Sequence, residues 1–297
     1  MNYISVKEWA GMHGVSERTA RNYCAQGKIE GAYLVGKNWN IPADAEIPKR
    51  SKKQLNASAL LTALREQMSG KIKGGIYHRI QVDLTYNSNH MEGSRLTHDQ
   101  TRYIFETNTV GVTGATVNVD DIIETANHFR AIDHIISSTS VVLSESYIKH
   151  LHFLLKSGTS VERKDWFRIG DYKKLPNEAG GNETVAPEDV HKAMKELLRE
   201  YNSKKMPTFE DVIDFHQRFE AIHPFQDGNG RVGRLIMFRE CLRIGYVPFI
   251  FTEELKMFYY SGLRNWPSIK GYLMDTCLTA QDNFKQILDK FRIPYKD

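Results

Sequence analysis

His223-Pro-Phe-Gln-Asp-Gly-Asn-Gly-Arg-Val-Gly-Arg234 is the densest run of chemically capable side chains in the 297-residue chain. Upstream, Thr208 stands before Phe209, Val212, Phe215 and Phe219, a spacing that predicts a capped helix with one buried face. Pro224 cannot extend that helix and restrains the residue before it, so His223 is expected at a fixed exit point. Gly228-Asn229-Gly230 offers backbone N–H groups that can approach an anion closely. They lead into the start of another helix, where orphan N–H groups and the macrodipole favour negative charge. Arg231 and Arg234, three apart, occupy neighbouring positions on that helix. Asp227 supplies a hard oxygen ligand of the kind that holds Mg²⁺ against phosphates. A base, a metal ligand, an anion nest and two guanidiniums are the parts of phosphoryl-type transfer, which works by positioning and charge stabilisation. The sequence GxxxxGK[ST] is absent, so this is not a Walker A loop. Singly, each residue has a plainer reading: a His beside Pro that packs, a DGNG turn. Their concentration in one loop exceeds it.

Around the loop the apolar periodicity is helical almost throughout. It predicts helices over 57–67, 74–87, 97–105, 120–137, 144–156 and 187–201, then 209–221 and 230–244 on either side of the loop, then 258–266 and 269–291. The exception is 165–186, where Trp166-Phe167-Arg168-Ile169 and a Gly180-Gly181 break predict a short β-hairpin. The fold class expected is mainly α.

Composition sets the broader frame. With 41% hydrophobic and 26% charged residues the chain can build a globular core. No run of 18 apolar residues spans a membrane, and the first residues hold no apolar signal segment. Cys24, Cys241 and Cys277 are too few and too scattered for a disulfide framework, and there is no CxxC. A reducing, cytoplasmic setting without membrane contact is expected. Through Asn56 nine Lys or Arg face five acids, an excess equal to the +4 of the whole chain. Such asymmetry points that segment alone toward a polyanion. Ser5 to Glu8 is a capping-box pattern opening one helix that Gly14 stops, and Ser16 caps a second that Gly27 closes. Ala32–Val35 and Asn38–Ile41 flank Gly36-Lys37 as a hairpin. Two short helices and a wing resemble the winged helix-turn-helix of excisionase- and MerR-type DNA binders. That resemblance implies duplex DNA as a partner of residues 1–48, with Arg18, Arg21 and Asn22 on the exposed face of the second helix. The plainer alternative is a winged helix used for protein contacts. Residues 49–56, polar and basic, are expected to be a linker, and 57–297 a second domain.

The loop matches at every fixed position the motif HxFx[D/E]GNGRxxR of the Fic family (filamentation induced by cAMP). The resemblance runs from about Lys71 to Asp282. Asn127-His128 with Ala131-Ile132 is similar to the Asn-containing helix ahead of the family's core, and Tyr259-Tyr260 to the tyrosine pair behind it. It implies a helical Fic core with a short β-hairpin flap, here preceded by the small winged unit. It also implies transfer of AMP from ATP, with Mg²⁺, to a Ser, Thr or Tyr hydroxyl of a target protein. His223 would deprotonate that hydroxyl and Asp227 would hold Mg²⁺. Asn229, with the Gly228 and Gly230 backbone, would line the anion hole, while Arg231 and Arg234 would contact the phosphates. Phe225 would be a buried anchor; which residues grip the adenine is left open, with Tyr259, Tyr260 and Asn265 as candidates. The hairpin around Tyr172–Pro176 would form the flap, within about 165–186, and dock the target by strand addition.

Ser88-Asn-His-Met-Glu92-Gly93 fits the family's inhibitory pattern [S/T]xxxE[G/N], on a helix of about 81–93. A carboxylate delivered to Arg234 would occupy the charge meant for the γ-phosphate. By themselves these residues could equally be a cap and a surface acid. His216 is expected to pack rather than react. The same site run backwards would remove AMP, and other nucleotide donors would make it a different nucleotidyltransferase. A kinase of the Doc type is disfavoured, because that variant carries Lys where Gly230 stands. A nucleotide-sensing DNA-binding regulator is the alternative from another class. The family also implies self-association, a homodimer.

Overall fold

Ser5 does two jobs at the start of the chain. It ends strand β1 (Tyr3–Ser5) and caps helix α1 (Val6–Met12), its hydroxyl accepting from the Glu8 N–H at 3.3 Å while the Ser5 N–H donates to the Glu8 carboxylate at 2.9 Å. Helix α2 (Glu17–Ala25) and strands β2 (Tyr33–Val35) and β3 (Asn38–Pro42) complete the first of two compact units, residues 1–56. The antiparallel sheet runs β1-β3-β2, with Ile4 opposite Ile41 and Leu34 opposite Trp39. Trp9, Ala20, Cys24, Ile29 and Ile41 form its core. Strands β2 and β3 fall where the sequence put the hairpin; β1, too short for its alternation to register, did not stand out. This computed structural model describes residues 2–25, 29–36, 38–47, 58–111 and 116–295. Gly27, Lys37 and the expected 49–56 linker lie outside the described residues, as do the side chains of Arg18 and Asn22. Arg21 is exposed and pairs with Glu17 one turn back.

The second unit, 57–297, is helical. It comprises α3 (Ala59–Ser69), α4 (Ile76–Met91), α5 (His98–Thr107), α6 (Val119–Ser137), α7 (Glu145–Lys156), strands β4 (Glu178–Ala179) and β5 (Asn182–Glu183), α8 (Pro187–Ser203), α9 (Phe209–Ile222), α10 (Asn229–Ile244), α11 (Lys256–Asn265) and α12 (Gly271–Lys290). Side-chain caps from Ser58, Thr97, Asn118, Ser144 and Thr208 start five of these helices. Every residue of α10 from Asn229 to Leu242 is buried, as expected of a central helix enclosed on all sides. Helices α9, α6, α7 and α4 pack around it. No helix among the described residues is long and apolar enough to cross a membrane.

Two departures bear on the site. Helix α4 runs past Asn87, where the apolar periodicity ended it, to Met91, near the end at about 93 expected of the inhibitory helix, and Met91 is buried beside Phe251 and Tyr259. Ser88 therefore sits inside the helix, and Glu92 is its C-cap. The expected hairpin is real but shorter and later than Tyr172–Pro176: β4 and β5 pair around Gly180-Gly181, both at positive φ. Tyr172–Pro176 forms no strand, because its polar groups bond elsewhere. The Tyr172 hydroxyl donates to Glu145 at 3.1 Å, and the Lys173 N–H donates to Pro224 O at 2.8 Å.

Candidate active site

The loop between α9 and α10 is held by its own residues. Thr208 and Asp211 form a capping box at the start of α9, and the helix ends at His223 in the left-handed region, φ 52°. Phe225 is fully buried and acts as the expected anchor in the packing. The Asn229 side chain closes the turn on Phe225: Oδ1 accepts the Phe225 N–H and Nδ2 donates to Phe225 O, both at 2.8 Å. Each end of the amide thus has one backbone partner, and Nδ2 keeps a second hydrogen that this turn does not use. Gly228, at φ 83°, begins α10 without a side-chain cap.

Behind the loop lies a histidine that sequence reasoning passed over. The His152 ring stacks on Phe225 with centroids 4.0 Å apart and planes 6° apart. Its Nδ1 accepts from the Gly170 N–H at 2.9 Å, so Nε2 carries the proton and donates to Asp227 O at 3.1 Å. Burial holds this ring neutral, its pKa pushed down to about 3.

Four charges interlock at the loop's outer end. Lys156 Nζ lies 2.5 Å from Asp227 Oδ2 and also bonds Glu124. Glu124 in turn bonds Arg231, whose guanidinium is 3.5 Å from Asp227 Oδ1. Burial opposes the charge on Asp227, but Arg231 and Lys156 outweigh it and hold this carboxyl well below the usual range. Neither Glu124 nor Lys156 stood out in the sequence. Among the described residues no three His, Cys, Asp or Glu gather as a metal cluster. One carboxylate with a 49% exposed side chain does fit a Mg²⁺ carried largely by phosphates and water.

At the inner end, Arg234 is buried. It donates to Ser88 Oγ at 3.0 Å, to Ser88 O at 2.9 Å and to Glu92 Oε1 at 2.7 Å. Burial works against the Glu92 charge, yet Arg234 and Arg231 bring its pKa below the ordinary value. The carboxylate sits so close to Gly230 that a Cβ there would meet Oε1 at 2.2 Å. Gly93, at φ 95°, turns the chain away immediately afterwards.

A cavity of about 660 Å³ joins these groups. Glu92, His223, Gly230, Arg234, Tyr259 and Tyr260 line it, with Gln217, Glu220, Leu263 and Arg264, none of which the sequence had singled out. His223 Nδ1 donates to Glu220 O at 3.2 Å, since a carbonyl only accepts, and this leaves Nε2 as the basic nitrogen. Burial lowers the His223 pKa. Glu220 is pushed up to about 8 by burial, against the pull of Arg234 and with help from the Glu92 charge. Tyr259 bonds His216 Nε2 through its hydroxyl at 2.7 Å, and the Tyr260 hydroxyl reaches Met91 O at 3.3 Å. Asn265 is not in the lining; its amide donates back to Ser261 O on its own helix, so the nucleoside contact expected of it is not placed. Asp227, Gly228, Asn229 and Arg231 lie outside this lining too.

Comparisons with known proteins agree on one family. The model of the Fic/DOC family matches residues 142–241. The protein adenylyltransferase Fic of Drosophila erecta is 28% identical over 187 residues, covering 60% of this chain and 36% of that protein; its Drosophila melanogaster counterpart gives the same figures. The chain thus spans about a third of the length of the curated relatives it matches. A Fic-domain-containing signalling protein from Bacteroides thetaiotaomicron superposes with a TM-score of 0.61 at 23% identity, over 77% of this chain and 94% of that one. Fic-1 from C. elegans gives 0.60 at 19%, over 78% and 71%. These structural likenesses establish the helical fold of the second unit, and residues 142–241 within it match the Fic/DOC family model.

Proposed function

We propose that the second unit is a Mg²⁺-dependent protein adenylyltransferase restrained by its own Glu92. One observation carries this reading: Arg234 is ion-paired with Glu92 inside the cavity that also holds His223. With ATP bound there, the target hydroxyl oxygen bonds to the α-phosphorus while the bond from that phosphorus to the α,β-bridging oxygen breaks. Pyrophosphate leaves, and the hydroxyl proton passes to His223 Nε2, the nitrogen left free by the Glu220 carbonyl bond. The N–H groups at the start of α10, with Arg231 and Arg234, stabilise the phosphate charge. Mg²⁺ held through Asp227 supplies further neutralisation of that charge when bound. A protein segment bearing Ser, Thr or Tyr reaches the cavity past Glu178, Ala179, Gly180 and Glu183, which put the β4–β5 hairpin on its rim as a strand-addition edge. Glu92 delivered to Arg234 denies the terminal phosphate its cation and turns the chain of phosphates out of line.

Incubation of the wild-type chain and of Glu92→Gly with ATP, CTP, GTP or UTP plus Mg²⁺, followed by intact-mass analysis, tests this reading. An added AMP mass in Glu92→Gly with ATP alone supports it. No adduct in either protein favours a nucleotide sensor, and an adduct with another nucleotide changes the donor. The ionised Glu92 also stands where it could orient a water, so loss of AMP from a modified protein is the second reading. For residues 1–48 we propose duplex DNA as partner, on the strength of their helix-turn-helix pattern and of the basic run Lys49, Arg50, Lys52 and Lys53 that follows and supplies the excess positive charge. Binding of the full chain to a duplex should then weaken steeply as salt rises.

A further inference from the structure

Lys156 is the last residue of α7, where a helix C-terminus favours a cation. Its side chain is nonetheless buried, with the ammonium between two carboxylates, Asp227 at 2.5 Å and Glu124 also within hydrogen-bond reach. Two carboxylate oxygens, one from α6 and one from the loop before α10, converging on one nitrogen is the donor arrangement of a small cation site. Around it the charges balance: Lys156 and Arg231 against Asp227 and Glu124. Aliphatic packing fixes the ammonium there, the Lys156 stem lying beside Gly228, where an added Cβ would contact Cδ at 3.7 Å.

We propose that Lys156 is a resident cation at the position where Asp227 would receive a divalent ion, keeping metal affinity low in the nucleotide-free protein so that metal enters with the phosphates. The inference rests on the reading of Asp227 as the metal ligand. Nucleotide phosphates bring the negative charge to which Lys156 and Arg231 turn, and Asp227 is then released toward the metal. Without nucleotide, an ammonium and a divalent ion within a few ångströms of each other repel strongly in a partly dry site.

The test measures Mn²⁺ alone binding to the full chain by the loss of its free electron-spin-resonance signal. Wild type, Lys156→Met, Lys156→Gln and Asp227→Asn are compared, each with and without ADP. The expected result is at least about tenfold tighter Mn²⁺ binding in either Lys156 variant without nucleotide, by the size of the charge repulsion removed, with that binding lost when Asp227→Asn is added. In wild type, ADP should tighten Mn²⁺ binding at least about tenfold over the ion with protein or nucleotide alone. This comparison needs no variant and stands if the substitutions fail to fold. Lys156 variants that bind Mn²⁺ no more tightly than wild type, while Asp227→Asn still abolishes binding with ADP, overturn the resident cation and spare the metal reading. Mn²⁺ binding indifferent to Asp227→Asn overturns both, and tight binding of free Mn²⁺ to wild type overturns the proposal outright.

Discussion

Glu92→Gly should make the protein less stable and more active at once. Arg234 is buried, and breaking a buried ion pair by removing one partner typically costs about 3–5 kcal/mol. Two features reduce that figure here. The Glu92 side chain is 24% exposed, and Arg234 keeps both of its bonds to Ser88. A loss of about 2 kcal/mol is therefore expected, which lowers Tm by about 4–8 °C for a unit of this size. Glycine brings no backbone strain of its own, because residue 92 sits at φ −92°. The same pair must open before a terminal phosphate can take Arg234. Removing that cost of about 2 kcal/mol should raise the rate of AMP transfer by roughly 30-fold, at tenfold per 1.4 kcal/mol. Thermal melting without nucleotide reads the first effect, and labelling with α-radiolabelled ATP reads the second. Glu92→Gln, which keeps an acceptor near Arg234 and removes the charge, should fall between wild type and Glu92→Gly in both. A lowered Tm with unchanged labelling would show that the pair is structural only and would refute the brake.

Other consequences follow from single contacts. His223→Ala should abolish transfer while nucleotide binding, followed by calorimetry, persists; surviving turnover would remove His223 as the base. In Glu92→Gly the acid limb of the transfer rate should have its midpoint below pH 6.5, because burial lowers the His223 pKa and Glu92 is among the groups that raise it. The neutral base is then present above that midpoint and lost as pH falls through it, and a midpoint above 6.5 in a pH series contradicts this. Asn229→Ala removes both bonds to the Phe225 backbone and leaves the buried Phe225 N–H unpaired, a cost of about 1–3 kcal/mol. Denaturant unfolding should register that loss. Transfer should drop by on the order of 100-fold, since a displacement of about 1 Å in the loop is enough to do so.

What could be read from the chain follows from the range over which each signal acts. Helices α9 and α10 announce themselves through local periodicity and through Pro224, Gly228 and Gly230, so the loop between them was legible residue by residue. The approach of Glu92 to Arg234 was visible only through a motif resemblance, because 142 residues separate them. Glu124 and Lys156 lie 107 and 71 residues from their loop partners and belong to helices whose own pattern explains them as ordinary surface charges. His152 was hidden in the same way: on α7 it is one more inward residue, and its bond to the Asp227 carbonyl exists only after the helices pack. Asn229 shows a further limit: between two glycines an Asn reads as a free turn residue, and its bracing bonds to the Phe225 backbone four residues back appear only once the turn is folded. The flap shifted because its expected place came from the family resemblance, whereas Tyr172 and Lys173 bond Glu145 and Pro224 instead of a partner strand.

The exchange of a carboxylate for a terminal phosphate on Arg234 is most directly tested by a crystal structure of Glu92→Gly with Mg²⁺ and a non-hydrolysable ATP analogue. We expect the terminal phosphate bonded to Arg234, the α-phosphorus facing His223 Nε2, and the nucleoside between α9 and α11. An analogue bound elsewhere, or bound in the cavity with Arg234 still turned to Ser88 alone and its phosphates away from His223, would contradict it.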